Sequence, residues 1–167
     1  MRKRNSPSTR KPLKLTGSPA EARHYALKLL HYRSRSEKEM IDRLKRKGFD
    51  DIQISNTVEY LQNAELIKDE VLASELLRHA IEKKYLGRKG IKVFLFNRGI
   101  KKGLIDEILS DLPEEIEKEA ALRLVEKKMK VLRNHPQDVI KRRLWGMLER
   151  RGFSADIINA VIKSIKL

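Results

Sequence analysis

The chain has 167 residues, of which 40% are apolar, 37% charged and 5% aromatic; this excludes a compositionally disordered polyelectrolyte and favours a helical core built from Leu, Ile, Val and Ala. A net charge of +15 predicts attraction to polyanions, with nucleic acid first and an anionic membrane surface second. With no cysteine, a disulfide framework, a Cys-ligated zinc site and a thiol nucleophile are excluded.

Residues 1–19 hold six cations and no acid, and are expected to form a disordered basic tail. They lack the apolar stretch of a secretory signal. No later segment reaches the roughly 18 uninterrupted apolar residues of a membrane span, so a cytoplasmic location is the default expectation. Beyond the tail, three units are expected, at 20–67, 68–113 and 114–167. Cations exceed acids by nine to eight, ten to seven and thirteen to eight in these units, so the excess grows toward the C-terminus.

Each expected unit opens with helical stripes. The first has Ala22, Tyr25, Ala26, Leu29 and Leu30, and then Met40, Ile41 and Leu44 on a helix opened by a Ser36 and Glu39 capping box. The second has Ala73, Leu76, Leu77, Ala80 and Ile81, then Ile91, Phe94 and Leu95. The third has Ala121, Leu124 and Val125, and then Ile140, Leu144 and Leu148 on a helix starting near 134–136.

A phrase recurs after these stripes: LKRKGFDDIQISNTVEYL, LFNRGIKKGLIDEILSDL and LERRGFSADIINAVIKSI align without gaps. Gly48, Gly99 and Gly152 each follow a cation and precede Phe49, Ile100 or Phe153. Ile54, Ile105 and Ile158 come six residues on, Val58, Leu109 and Ile162 ten on, and Leu61, Leu112 and Ile165 thirteen on. The Gly reads as the left-handed residue that ends one helix, and the offsets put one apolar stripe on the next. A repeat of this size means helical units that bury faces on one another. The fold expected is all-α: three tandem three-helix repeats stacked into an elongated body that can curve.

Phosphate-loop, nucleophile-elbow and dinucleotide-binding signatures are absent. Glu21 and His24 have the Glu-x-x-His form of a di-iron bundle, but the second copy and further inward carboxylates are missing, so both read as structural. No catalytic residue, metal or cofactor is expected. The cations Lys45, Arg46, Lys47, Arg98, Arg150 and Arg151 stand at helix C-termini, where the macrodipole favours them. They also form a repeated row suited to a phosphate backbone or an acidic protein groove. Further clusters are Lys83, Lys84, Arg88 and Lys89, then Lys101 and Lys102, and then Lys141, Arg142 and Arg143. Successive helical residues point about 100° apart, so three cations in a row cannot all face one partner. Tyr85 and Trp145 can stack on bases, although a lone Trp in a Leu-rich helix reads first as a core anchor.

Four segments in order resemble the RecX family, over about 22–165. RSRSEKEMIDRLKRKGF, with Arg35 and Ser36 in place, looks like its opening; LIKDEVLA is similar to its link between the first two units; GIKVFLFNRGI resembles its middle phrase and LERRGFSADII its last. Lys68 and Leu72 stand where the link usually has Asp and Phe, and Gly90 and Phe94 replace a usual Arg and Glu. The resemblance implies a monomeric, non-enzymatic protein lying in the groove of the RecA–DNA filament. There it would bridge RecA subunits, limit filament growth or stability, and reduce strand exchange and repressor cleavage in DNA repair and the SOS response. Arg35 joins the cations above as a candidate RecA or DNA contact, with single- and double-stranded DNA held weakly and electrostatically. Two other readings are an autonomous nucleic-acid-binding helical repeat and a helix-turn-helix regulator. The last ranks lowest, because the helices after each Gly carry Ile, Val and Leu where a recognition helix needs polar base-reading residues.

Overall fold

The computed structural model describes residues 17–165, and every regular element among them is an α-helix. In chain order these are α1 (Pro19–Tyr32), α2 (Glu37–Lys47), α3 (Asp51–Asn63), α4 (Asp69–Glu82), α5 (Arg88–Asn97), α6 (Lys102–Ser110), α7 (Glu114–Leu132), α8 (Gln137–Arg150) and α9 (Ala155–Ser164). The expected basic tail lies outside the described residues at 1–16. Residues 17–19 are built into the first unit: Ser18 and Glu21 form a reciprocal capping box, Pro19 opens α1, and the Gly17 carbonyl accepts from Gln53 Nε2 at 2.6 Å.

Three apolar cores follow the three expected helix triplets. Ala22, Ala26, Leu29, Met40, Leu44, Ile54, Val58 and Leu61 join α1, α2 and α3. Leu72, Ala73, Leu76, Ala80, Ile91, Leu95, Ile105 and Leu112 join α4, α5 and α6. Ala120, Ala121, Leu124, Val125, Ile140, Leu144, Leu148, Ile157, Ile158 and Val161 do the same for α7, α8 and α9. Small Ala residues on the first helix of each triplet let the third pack closely, and that pair is in contact in all three triplets.

Gly48, Gly99 and Gly152 all adopt left-handed backbone, with φ of 102°, 78° and 85°. In each, the chain turns back: the N–H of Phe49, Ile100 or Phe153 donates to the carbonyl of Leu44, Leu95 or Leu148. That i+5 bond satisfies a carbonyl the helix end leaves open and drops the next apolar residue into the core. The aligned glycines therefore occupy one setting three times.

The expected capping box at Ser36 is half present. Ser36 Oγ accepts from the Glu39 N–H at 3.1 Å, but the Glu39 carboxylate does not return to the cap. It pairs instead with Arg33 at 2.8 Å and Arg98 at 3.1 Å, because two guanidiniums compete better for a carboxylate than one backbone amide does.

Candidate partner-binding surface

Two junctions hold the triplets in line, and both are built the same way. The end of a middle helix docks on the start of the middle helix one triplet earlier. At the first junction, Ser36 Oγ, at the start of α2, donates to the Arg98 carbonyl at 2.8 Å, at the end of α5. The Arg98 guanidinium reaches back to Glu39 and to the Ser34 carbonyl, both at 3.1 Å. A Cβ on Gly99 would lie 2.4 Å from Ser36 Oγ, so the approach requires glycine.

At the second junction the same surfaces meet backbone to backbone. The Gly87 N–H donates to the Arg151 carbonyl at 3.0 Å and the Lys89 N–H to the Gly152 carbonyl at 3.2 Å. A Cβ on Gly90 would lie 2.2 Å from the Arg151 carbonyl oxygen. Gly90 holds the third helical position of α5, which Glu39 holds in α2. One junction is therefore closed by an ion pair and the other by the absence of a side chain.

A carboxylate completes each junction. The N–H of Glu37, first in α2, donates to Asp69 Oδ1 at 2.9 Å, and the N–H of Arg88, first in α5, donates to Glu117 Oε1 at 2.9 Å. Asp69 and Glu117 come from the first helix of the following triplet, where they face a positive helix N-terminus. Burial raises the pKa of Asp69 despite that bond. Glu117, only 4% exposed, is also held by Arg88 Nε at 3.1 Å, and Arg88 further donates to the Leu109 and Leu112 carbonyls.

The candidate cations divide accordingly. Arg35, at 8% exposure, points inward and donates to the Leu29 carbonyl at 3.3 Å; burial, then the neighbouring positive Arg33, lower its pKa. Arg88 and Arg98 are absorbed in the junctions, as is Arg151, which donates to the Lys84 carbonyl. Lys101 pairs with Glu37 at 3.2 Å while its side chain stays exposed. Sequence reasoning missed this division because every partner lies more than twenty residues away or is a backbone carbonyl.

The other candidates face outward. Lys45, Arg46 and Lys47 are exposed at the end of α2, with Lys45 3.6 Å from Asp51 and Lys47 over the Tyr25 ring. Lys83, Lys84, Lys89 and Lys102 are exposed on the middle triplet, with Lys84 over the Phe94 ring. On the third, exposed Lys141, Arg142, Arg143 and Arg150 follow one another along α8, and Arg143 meets His135 at 2.9 Å. Lys128, Arg142, Arg143, Arg150 and Arg151 line an open groove of about 590 Å³ between α7 and α8 that no carboxylate lines. Lys128 is the cation that sequence reasoning passed over; only the α7–α8 contact brings it here. Trp145 is half-buried against the third core, Tyr85 also packs there, and neither forms an open platform.

After the glycines, Ile54, Val58 and Leu61, then Ile105 and Leu112, then Ile157, Ile158 and Val161 are turned into the cores, while Ile52 faces solvent. The outward faces of α3 and α6 instead carry Asp51, Glu59, Asp106 and Glu107, acids that would repel a phosphate backbone. His24 is exposed, and among the described residues no group of His, Asp or Glu side chains could hold a metal ion. No described helix is long and apolar enough to cross a membrane.

Comparison with known proteins matches this architecture. Residues 22–61 match the family model for the first three-helix domain of RecX, and residues 115–162 match that for the third. The chain is 31% identical to the regulatory protein RecX of Clostridium botulinum Eklund 17B over 145 residues, covering 86% of this chain and 68% of that one. It is 33% identical to that of Chlorobium phaeobacteroides BS1 over 141 residues, covering 84% and 90%. The crystal structure of RecX from Lactobacillus salivarius superposes with a TM-score of 0.75 at 26% identity, covering 87% of this chain and 94% of that one. Three equivalent glycine turns, two equivalent junctions and these likenesses agree: the chain belongs to the RecX family of regulatory proteins.

Proposed function

We propose that this chain is a non-enzymatic regulator that binds in the groove of the RecA–DNA filament and limits its extension and stability. In the cytoplasm it lowers recombinase and repressor-cleaving activity during DNA repair and the SOS response. It acts as a monomer of three units, the first ending at 67 and reaching back past the expected start at 20 to residue 17, the others 68–113 and 114–167. The observation that carries this reading is the distribution of outward cations over all three members of a linear helical array. A screw-shaped, acidic assembly offers the same kind of partner at successive steps, and an array of units can meet several of them at once.

The contact set is Lys45, Arg46, Lys47, Lys83, Lys84, Lys89, Lys102, Lys141, Arg142, Arg143 and Arg150; Arg88, Arg98 and Arg151 hold the array together, and Arg35 is buried within the first triplet. The test is capture by RecA assembled on single-stranded DNA. Arg142→Glu with Arg150→Glu reverses two charges that make no ion pair or hydrogen bond among the described residues. Capture should weaken about tenfold at physiological salt with the melting temperature unchanged. Full capture by the variant would contradict the reading.

The groove lined by Lys128, Arg142, Arg143 and Arg150 favours a second reading, direct binding of nucleic acid without RecA. It requires tight binding to naked single-stranded DNA that falls steeply with salt, with no retention on RecA filaments.

A further inference from the structure

The repeat makes one departure visible. Three residues before the turn glycines stand Lys45, Phe96 and Glu149, and six before them Asp42, Val93 and Gly146. Only the middle triplet is apolar at both places. Both side chains point to solvent, with Phe96 57% and Val93 58% exposed, on one face of α5. Neither serves the second core, which α5 fills with Ile91 and Leu95. Single exposed apolar residues need no explanation, but an adjoining pair at positions that the other repeats keep polar or small does.

Phe96 also borders a groove of about 410 Å³ across the first junction, lined by Glu37, Lys38 and Ile41 of α2 and by Gly99, Ile100, Lys101 and Lys102 after α5. Lys38 Nζ lies 5.3 Å from the Phe96 ring centre. The acids nearby, Glu37 and Asp106, are already paired with Lys101 and Lys92, which leaves Lys38 and Lys102 in excess. Phe96 and Val93 come from one triplet and Ile41 and Lys38 from the one before, so the surface is complete only when the junction is closed.

We propose that Phe96, with Val93 beside it, is the apolar anchor of a protein-binding surface, inserting into a recess on a partner whose rim is acidic. The inference rests on the filament reading above and assigns to RecA the chemistry of that recess. An aromatic at the centre of a charged rim is the arrangement in which a few residues carry most of an interface's binding energy. A single-stranded nucleic acid fits less well. Base-stacking platforms present bare aromatic faces in succession, whereas Phe96 stands among the aliphatic Val93, Ile41 and Ile100 with one face met by Lys38.

The test is capture of the full chain by RecA–single-stranded DNA filaments, with wild type, Phe96→Gln and Phe96→Leu compared. Phe96→Gln keeps the charge, leaves the core untouched and should weaken capture about tenfold; Phe96→Leu should stay within about threefold of wild type. A photo-crosslinking phenylalanine analogue at position 96 should join to RecA. Undiminished capture of Phe96→Gln, or crosslinking to the DNA strand, overturns this inference and leaves the filament reading standing. Failure of the wild type to be captured overturns both.

Discussion

At the scale of single residues, glycine does two separate jobs in this chain. Gly48, Gly99 and Gly152 supply the positive φ at which each middle helix turns back. Gly90 has no such backbone need and is there for space: any Cβ would lie 2.2 Å from the Arg151 carbonyl oxygen. Gly103, near the start of α6, meets nothing within 4 Å. Gly90→Ala should therefore cost about 2 kcal/mol or more in urea unfolding, because a backbone carbonyl cannot step aside. Gly103→Ala should gain up to about 1 kcal/mol from helix propensity. The turn glycines are legible in the sequence because their consequences are local, an apolar stripe at fixed offsets. The part played by Gly90 is not, since its partner lies about sixty residues downstream in another triplet, beyond the reach of any periodicity.

Among the helices, the start of α2 shows how charge and fold are coupled. Burial opposes ionisation of Glu39, but the Arg33 and Arg98 guanidiniums outweigh it and hold its pKa below the usual carboxylate range. A carboxyl whose folded pKa is depressed adds stability above its unfolded pKa and loses it as pH falls through the folded value. Glu39→Gln should therefore cost about 1–2 kcal/mol at pH 7, and the difference from wild type should close as pH drops below the ordinary Glu range. Urea unfolding at several pH values checks this, and a cost that persists in acid would assign the effect to packing. The nine helices among the described residues and their buried stripes followed from period and capping signals. The destination of Glu39 did not, because a capping box and an ion pair with a distant Arg look alike in one dimension.

For the whole molecule, the two equivalent junctions link the triplets in chain order, and among the described residues the hydrogen bonds and ion pairs between triplets join chain neighbours only. Units of about fifty residues bury too little surface to be robust alone and gain stability from stacking. Among the described residues, the middle-helix surfaces outside the two junctions differ from those within them. The outer turn carries Lys47 where the inner ones carry Arg98 and Arg151, and α8 opens with Pro136 where α2 and α5 have Ser36 and Gly87.

The cation row was legible from the sequence as a set, since its spacing follows the repeat. Its division was not: Arg35, Arg88, Arg98 and Arg151 read like their neighbours yet are taken up by bonds within the fold, whereas Arg142 and Arg150 make no ion pair or hydrogen bond among the described residues. The direct measurement of the functional account is RecA's DNA-dependent ATP hydrolysis, followed as this chain is added at well below one copy per RecA. The account predicts a progressive fall in the rate as filaments cease to extend. An unchanged rate at every ratio, up to one chain per RecA, would contradict it.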